Sequence, residues 1–137
     1  MKYLADTTYL IDLINGDHKA VDVARELDEL GELVCLSVIS AEEYLRGIYY
    51  LYWDNKEKLR RKLAEARRDL SAFEILPITY EIAAKAAEIE VMLIKSGEML
   101  SLPDILIAST AICHNLILIT RNVKHFQRIP NLKIRTY

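Results

Sequence analysis

Short apolar runs alternate along this chain with longer stretches whose apolar residues recur every three or four positions. The short runs at residues 2–5, 33–37 (LVCLS), 74–77, 116–120 (LILIT) and 132–137 predict strands. The stretches between them predict helices. Residues 7–15 form the first, stopped by Gly16. Asp17 caps a second, with Val21, Ala24, Leu27 and Leu30 on one face, and Gly31 ends it. Ser40 opens a third, which runs from Ala41 to about Trp53. A strongly charged fourth starts at Asp54 or Asn55 and ends near Ala72. Thr79 caps a fifth, striped by Ala83, Ala86, Ala87, Val91 and Ile94 and stopped by Gly97. Pro103 lies in the first turn of a sixth over residues 104–115. Residues 121–128 read as a loop with one helical turn.

Strands that are apolar throughout and separated by helices belong to a parallel sheet covered on both faces. The pattern therefore predicts an α/β/α sandwich around a short parallel sheet of four or five strands. In that arrangement the strand ends that precede helices share one edge, where open α/β sheets build their ligand sites. Asp6, the segment Ser40 to Glu43, and Thr120 to Asn122 all follow strands. Asp104 can reach the same edge from the start of its helix.

Composition narrows the class. At 137 residues the chain is one domain with enough length for a core. Its 52% hydrophobic content, with four glycines and three prolines, excludes a disordered or linker-rich chain. No run approaches the roughly eighteen apolar residues of a membrane span. The first residues enter a strand with no charged leader, so a cytoplasmic protein is expected. The net charge of −2 carries no global nucleic-acid signal. Cys35 and Cys113 have neither metal-ligand nor redox spacing, and buried free thiols are the expectation.

Three acids stand out, and each has an ordinary structural use. Asp6 can cap the first helix. Ser40 and Glu43 have the spacing of a capping box. Asp104 can occupy a first turn, where the helix dipole favours negative charge. Yet they come from distant parts of the chain to one edge, and clustered carboxylates repel unless a cation or a proton compensates. Oxygen ligands without His or Cys suit Mg²⁺ or Mn²⁺, and such sites serve phosphate-ester chemistry.

The segment Asp6-Thr7-Thr8-Tyr9-Leu10-Ile11-Asp12 resembles the N-terminal motif of PIN-domain ribonucleases, VapC-type toxins in particular. Ile39 to Gly47 (ISAEEYLRG) resembles the second motif, a glutamate four residues before a glycine, which selects Glu43 over Glu42. Leu102 to Ala108 (LPDILIA) resembles the third motif and Leu118 to Phe126 (LITRNVKHF) the fourth. Four motifs in order across nearly the whole chain are specific where one alone is weak. The resemblance implies a PIN-like fold and a Mg²⁺- or Mn²⁺-dependent endoribonuclease. Its metal would be held by Asp6, Glu43 and Asp104, and its partner would be a VapB-like antitoxin. It also implies a homodimer whose paired sites form an RNA groove. In many members an aspartate stands where this chain has Asn122, whose amide contributes no charge. Thr120 is a further candidate for holding a ligand or water.

Outside these motifs, Arg46, one turn past Glu43, is the basic residue best placed for a substrate. The basic fourth helix reads as a solvated face, with Glu57 and Arg61 at i,i+4 spacing. Tyr44, Tyr49, Tyr50, Tyr52 and Trp53 predict a helix about half core and half exposed patch, the latter a mark of a partner site. His18, His114 and His125 read as surface or capping residues. Two other functions fit the acidic edge. A non-catalytic module would use it to hold RNA. An aspartyl-phosphate phosphatase would use Asp6 as nucleophile, but that chemistry typically wants an acid two residues on, and position 8 is Thr8.

Overall fold

A computed structural model describes residues 2–137. Five strands, β1 (Lys2–Ala5), β2 (Leu33–Ser37), β3 (Glu74–Leu76), β4 (Ile117–Ile119) and β5 (Lys133–Arg135), form one sheet. Their order is β3-β2-β1-β4-β5 and every neighbouring pair is parallel. Helices α1 (Thr7–Ile14) and α2 (His18–Glu29) connect β1 to β2, and α3 (Val38–Tyr52) and α4 (Lys56–Leu70) connect β2 to β3. Helices α5 (Tyr80–Lys95) and α6 (Leu102–Cys113) lead to β4, and the short α7 (Val123–Phe126) leads to β5.

The strands alternate between two cores. Leu4, Cys35 and Leu118 are in register and pack with α5, α6 and Phe126 of α7. Ala5, Leu36 and Ile119, one residue on, pack with Tyr9, Leu10, Ala20, Leu27, Ala41 and Leu70 from α1 to α4. Burial on both faces is why these strands lack polar alternation.

The chain winds outward from β1 in two directions, first to β2 and β3, then to β4 and β5. The crevice beyond the carboxyl ends of β1 and β4 is therefore the topological switch point of the sheet. Asp6 and Thr120 are the residues that leave those two strands.

Several local expectations change. Helix α3 begins at Val38, and its cap is Ser37, whose hydroxyl accepts from the Ile39 amide at 3.1 Å. Ser40 is buried inside the helix, so Ser40 and Glu43 form no capping box. Asn55, not Asp54, caps α4. Helix α6 starts at Leu102 with Ser101 as cap, two residues earlier than the pattern implied. The last strand is confined to Lys133–Arg135. Both cysteines are free, but Cys113 is exposed rather than buried. Among the described residues Glu57 and Arg61 form no ion pair, and Lys58 and Lys62 instead sit over the Tyr52 ring. The aromatic load of α3 is mostly outside the core: Tyr50 is 84% and Trp53 68% exposed.

Candidate active site

Asp6 leaves β1 in extended conformation, and its amide donates to the Ile119 carbonyl of β4 at 3.1 Å. That bond extends the ladder one residue past the strand and fixes the carboxylate at the switch point. The side chain is 3% exposed. Its Oδ1 accepts from the Tyr9 amide at 2.7 Å, so Asp6 also caps α1, as the local pattern allows. Thr120, fully buried, hydrogen-bonds the same carboxylate, while its Oγ1 accepts from the Asn122 amide at 3.0 Å. Burial pushes the Asp6 carboxyl up from 3.8 to about 6. The Thr120 and Tyr9 hydrogen bonds oppose that rise, and the negative charges of Asp104 and Asp12 add to it.

Glu43 reaches this edge from the second turn of α3, with 23% of its side chain exposed. Its two oxygens have different partners. The Thr7 hydroxyl donates to Oε1 at 2.6 Å, and Oε2 lies 3.6 Å from Arg46 Nη2. Ser40 Oγ lies 2.9 Å from Thr7 Oγ1, joining the start of α1 to the interior of α3. Arg46 also lies 3.5 Å from Glu42, so its guanidinium is shared between two acids at the surface.

Asp104 lies half-buried in the first turn of α6, where its amide donates to the Ser101 hydroxyl at 3.3 Å. Among the described residues no cation pairs with its carboxylate, and its charge acts on Asp6. Asn122 is exposed and its side chain makes no capping bond. Its carbonyl accepts from the His125 and Phe126 amides and starts α7. His18, His114 and His125 are all exposed.

Two features were not read from the pattern. The Thr7 bond to Glu43 is one, and its local sign in the sequence is the threonine beside the first acid. The other is a cluster around Arg121. Its guanidinium stacks 4.7 Å from the Tyr137 ring centre and pairs with Asp12 at 3.5 Å and Asp17 at 3.2 Å.

Among the described residues, no three His, Cys, Asp or Glu side chains are gathered tightly enough to form a metal site by themselves. The donor chemistry nonetheless fits a hard cation. Asp12 is answered by Arg121, whereas Asp6 carries a desolvated charge beside the unpaired Asp104. Mg²⁺ takes one or two carboxylates directly and keeps several waters. One buried aspartate with further acids around it can supply that shell.

The model of the PIN domain family matches residues 3–132, a span that includes all four motif segments. The chain belongs to the PIN domain family. Ribonuclease VapC of Rickettsia bellii is 41% identical over 136 residues, covering 99% of this chain and 96% of the relative. Ribonuclease VapC1 of Methanocaldococcus jannaschii is 34% identical over 136 residues, covering 99% and 87%. The crystal structure of VapBC2 from Rickettsia felis, bound to a DNA fragment from their promoter, contains a chain with the same fold. It superposes with a TM-score of 0.85 at 28% identity, covering 100% of this chain and 99% of that one. This PIN domain thus shares sequence with the VapC branch over its whole length.

Proposed function

We propose that this PIN domain is a Mg²⁺- or Mn²⁺-dependent endoribonuclease and the toxin of a toxin–antitoxin pair. The observation that carries the reading is Asp6. It is a buried carboxylate at the switch point, raised to about 6, with the unpaired Asp104 acting on it and Glu43 tethered to the residue that follows it. Full-length similarity to proteins named ribonuclease VapC gives the substrate class.

Asp6, Glu43 and Asp104 would hold the cation directly or through water. When bound, it neutralises charge building at phosphorus and lowers the pKa of water. The chain's own groups prepare this. The Tyr9 amide and Thr120 fix Asp6 in one orientation. Thr7 fixes Glu43. Arg46, exposed beside Glu43, is placed to meet a backbone phosphate. Hydrolysis that expels the 3′ oxygen leaves a 5′ phosphate and a 3′ hydroxyl, and no protein nucleophile is required. Thr120 supports the site through Asp6. Asn122, exposed and with no side-chain capping bond among the described residues, is a candidate for a water in the same shell.

A VapB-like antitoxin is the partner this reading implies, since the similar structures include VapBC complexes from Rickettsia felis and Haemophilus influenzae. The exposed Tyr49, Tyr50 and Leu51 of α3, with Trp53 at its C-terminal cap, offer apolar surface for protein contact, and a homodimer is expected from the family likeness. No helix among the described residues is long and apolar enough to cross a membrane.

The test is cleavage of a labelled RNA by the purified chain in Mn²⁺ and in EDTA, with Asp6→Asn, Glu43→Gln and Asp104→Ala as variants. Cleavage should require Mn²⁺ and fall by more than about 100-fold in each variant, because outer-shell changes alone cost 10–100-fold. RNA bound but uncut in Mn²⁺ would make the chain a binding module. Near-normal cleavage by Asp104→Ala would remove that residue from the site.

A further inference from the structure

Thr7 is the first residue of α1, yet its hydroxyl does not serve its own helix. Asp6 caps α1, and the Thr7 hydroxyl instead crosses to α3, to an acid 36 positions away. At 2.6 Å the bond to Glu43 Oε1 has the short length of a charge-assisted hydrogen bond. Ser40 completes the join at 2.9 Å. Among the described residues, the other oxygen of Glu43 has only the exposed Arg46 at 3.6 Å, beyond hydrogen-bond length. One Glu43 oxygen is thus fixed from inside the protein, and the other is held loosely from the solvent side.

We infer that Thr7 is a positioning residue that locks the Glu43 carboxylate for cation binding, with Oε2 as the ligating oxygen. The inference rests on the metal-dependent reading above. It does not make Thr7 a ligand. Thr7 follows Asp6 directly, so its bond to Glu43 ties the carboxylate arm of α3 to the strand end that carries Asp6. Arg46 competes for Oε2 and is displaced when a cation occupies it. Without the Thr7 hydroxyl, Glu43 loses its interior anchor and can swing wholly to Arg46. The cation site then has to be reassembled each time it binds.

Thr7→Val keeps the branched shape and removes only the hydroxyl, and Thr7→Ser keeps the hydroxyl. Titration calorimetry with Mn²⁺ alone on the EDTA-stripped protein reads the site without any turnover. Thr7→Val should weaken Mn²⁺ binding about 10-fold, in the range seen when partners of metal ligands are removed. Thr7→Ser should stay within about twofold of the parent. In a Glu43→Ala background, Thr7→Val should change Mn²⁺ affinity no further, since the cycle isolates the pair. Thr7→Ala, a good helix former, serves as the hydroxyl-free variant if Val does not fold. Unchanged Mn²⁺ affinity in the hydroxyl-free variants, with a lowered melting temperature in EDTA, would overturn the inference and leave Thr7 a structural tie. An equal loss of affinity in the Glu43→Ala background would also overturn it. A parent protein that binds no Mn²⁺ would overturn the metal-dependent reading itself, and this inference with it.

Discussion

The Tyr137 hydroxyl donates to Asp12 Oδ2 at 2.6 Å, joining two residues 125 positions apart. The same ring stands edge-on to Tyr9 with centroids 5.0 Å apart, and it carries the Arg121 guanidinium over its face at 4.7 Å. Arg121 in turn pairs with Asp12 and Asp17. Residue 137 is thereby bound to α1, and both are bound to the turn that separates Thr120 from Asn122. The cluster also answers the charge of Asp12, one of the two acids that act on Asp6.

Removing the hydroxyl should loosen that join. Tyr137→Phe deletes a hydrogen bond to a charged acceptor while keeping the ring against Tyr9 and Arg121. We expect a loss of about 1.5–3 kcal/mol in urea unfolding, the usual size for such a bond. Tyr137→Phe combined with Arg121→Ala should deviate from additivity, because the two side chains share Asp12. Strict additivity would show that the cluster does not act as a unit.

The metal-free protein should lose stability as pH rises toward neutrality. Asp6 has a folded value of about 6 against an ordinary value of 3.8, so between those limits the native state holds a proton that the unfolded state releases. Stability is therefore greatest below 3.8 as far as this group is concerned, falls through the window, and levels off above about 6. The difference corresponds to roughly 3 kcal/mol at most. Asp6→Asn keeps the helix cap and should abolish the slope when melting is followed in EDTA from pH 4.5 to 7. In Mn²⁺ the order should change, because the ligand must be deprotonated and metal-induced stabilisation grows with pH. A slope of equal size in Asp6→Asn would place its origin elsewhere.

Asn122→Asp tests whether the rim of the site admits a fourth carboxylate. The side chain is exposed, so the metal-free melting temperature should move little, as for most surface changes. The Mn²⁺-induced rise should exceed the parent's, since ligand charge is one determinant of affinity for hard cations. A rise no larger than the parent's would remove Asn122 from the site and leave it as the residue that starts α7.

A homodimer is expected from the exposed aromatic residues of α3 together with the family likeness. Light scattering at micromolar concentration should give twice the 15.8 kDa chain mass. Adding antitoxin should protect the amides of residues 49–53 from hydrogen exchange. A monomer throughout would count against the dimer, and unchanged exchange at 49–53 would move the antitoxin contact to another surface.

The strands and the candidate acids were legible locally. Runs such as LVCLS and LILIT send successive residues into the two cores, and their short length between turn residues separates them from the helices. Asp6, Glu43 and Asp104 stood out because each interrupts or opens an apolar segment at a motif spacing. The start of α3 was not legible. Ser40 and Glu43 satisfy the capping-box pattern, but β2 ends at Ser37 and α3 begins at once, which puts Ser40 inside. Helix phase at that point is decided by Ala41 and Ile48 packing inward, a tertiary term larger than a cap bond. The exposure of Cys113, the Thr7 grip on Glu43 and the Tyr137–Asp12–Arg121 cluster likewise depend on which elements lie side by side. Strand order sets those neighbours, with β1 between β2 and β4, and it is a property of the assembled sheet. Local patterning encodes what each segment is. Long-range pairing, which only the closed sheet supplies, decided which oxygen of Glu43 is anchored by Thr7.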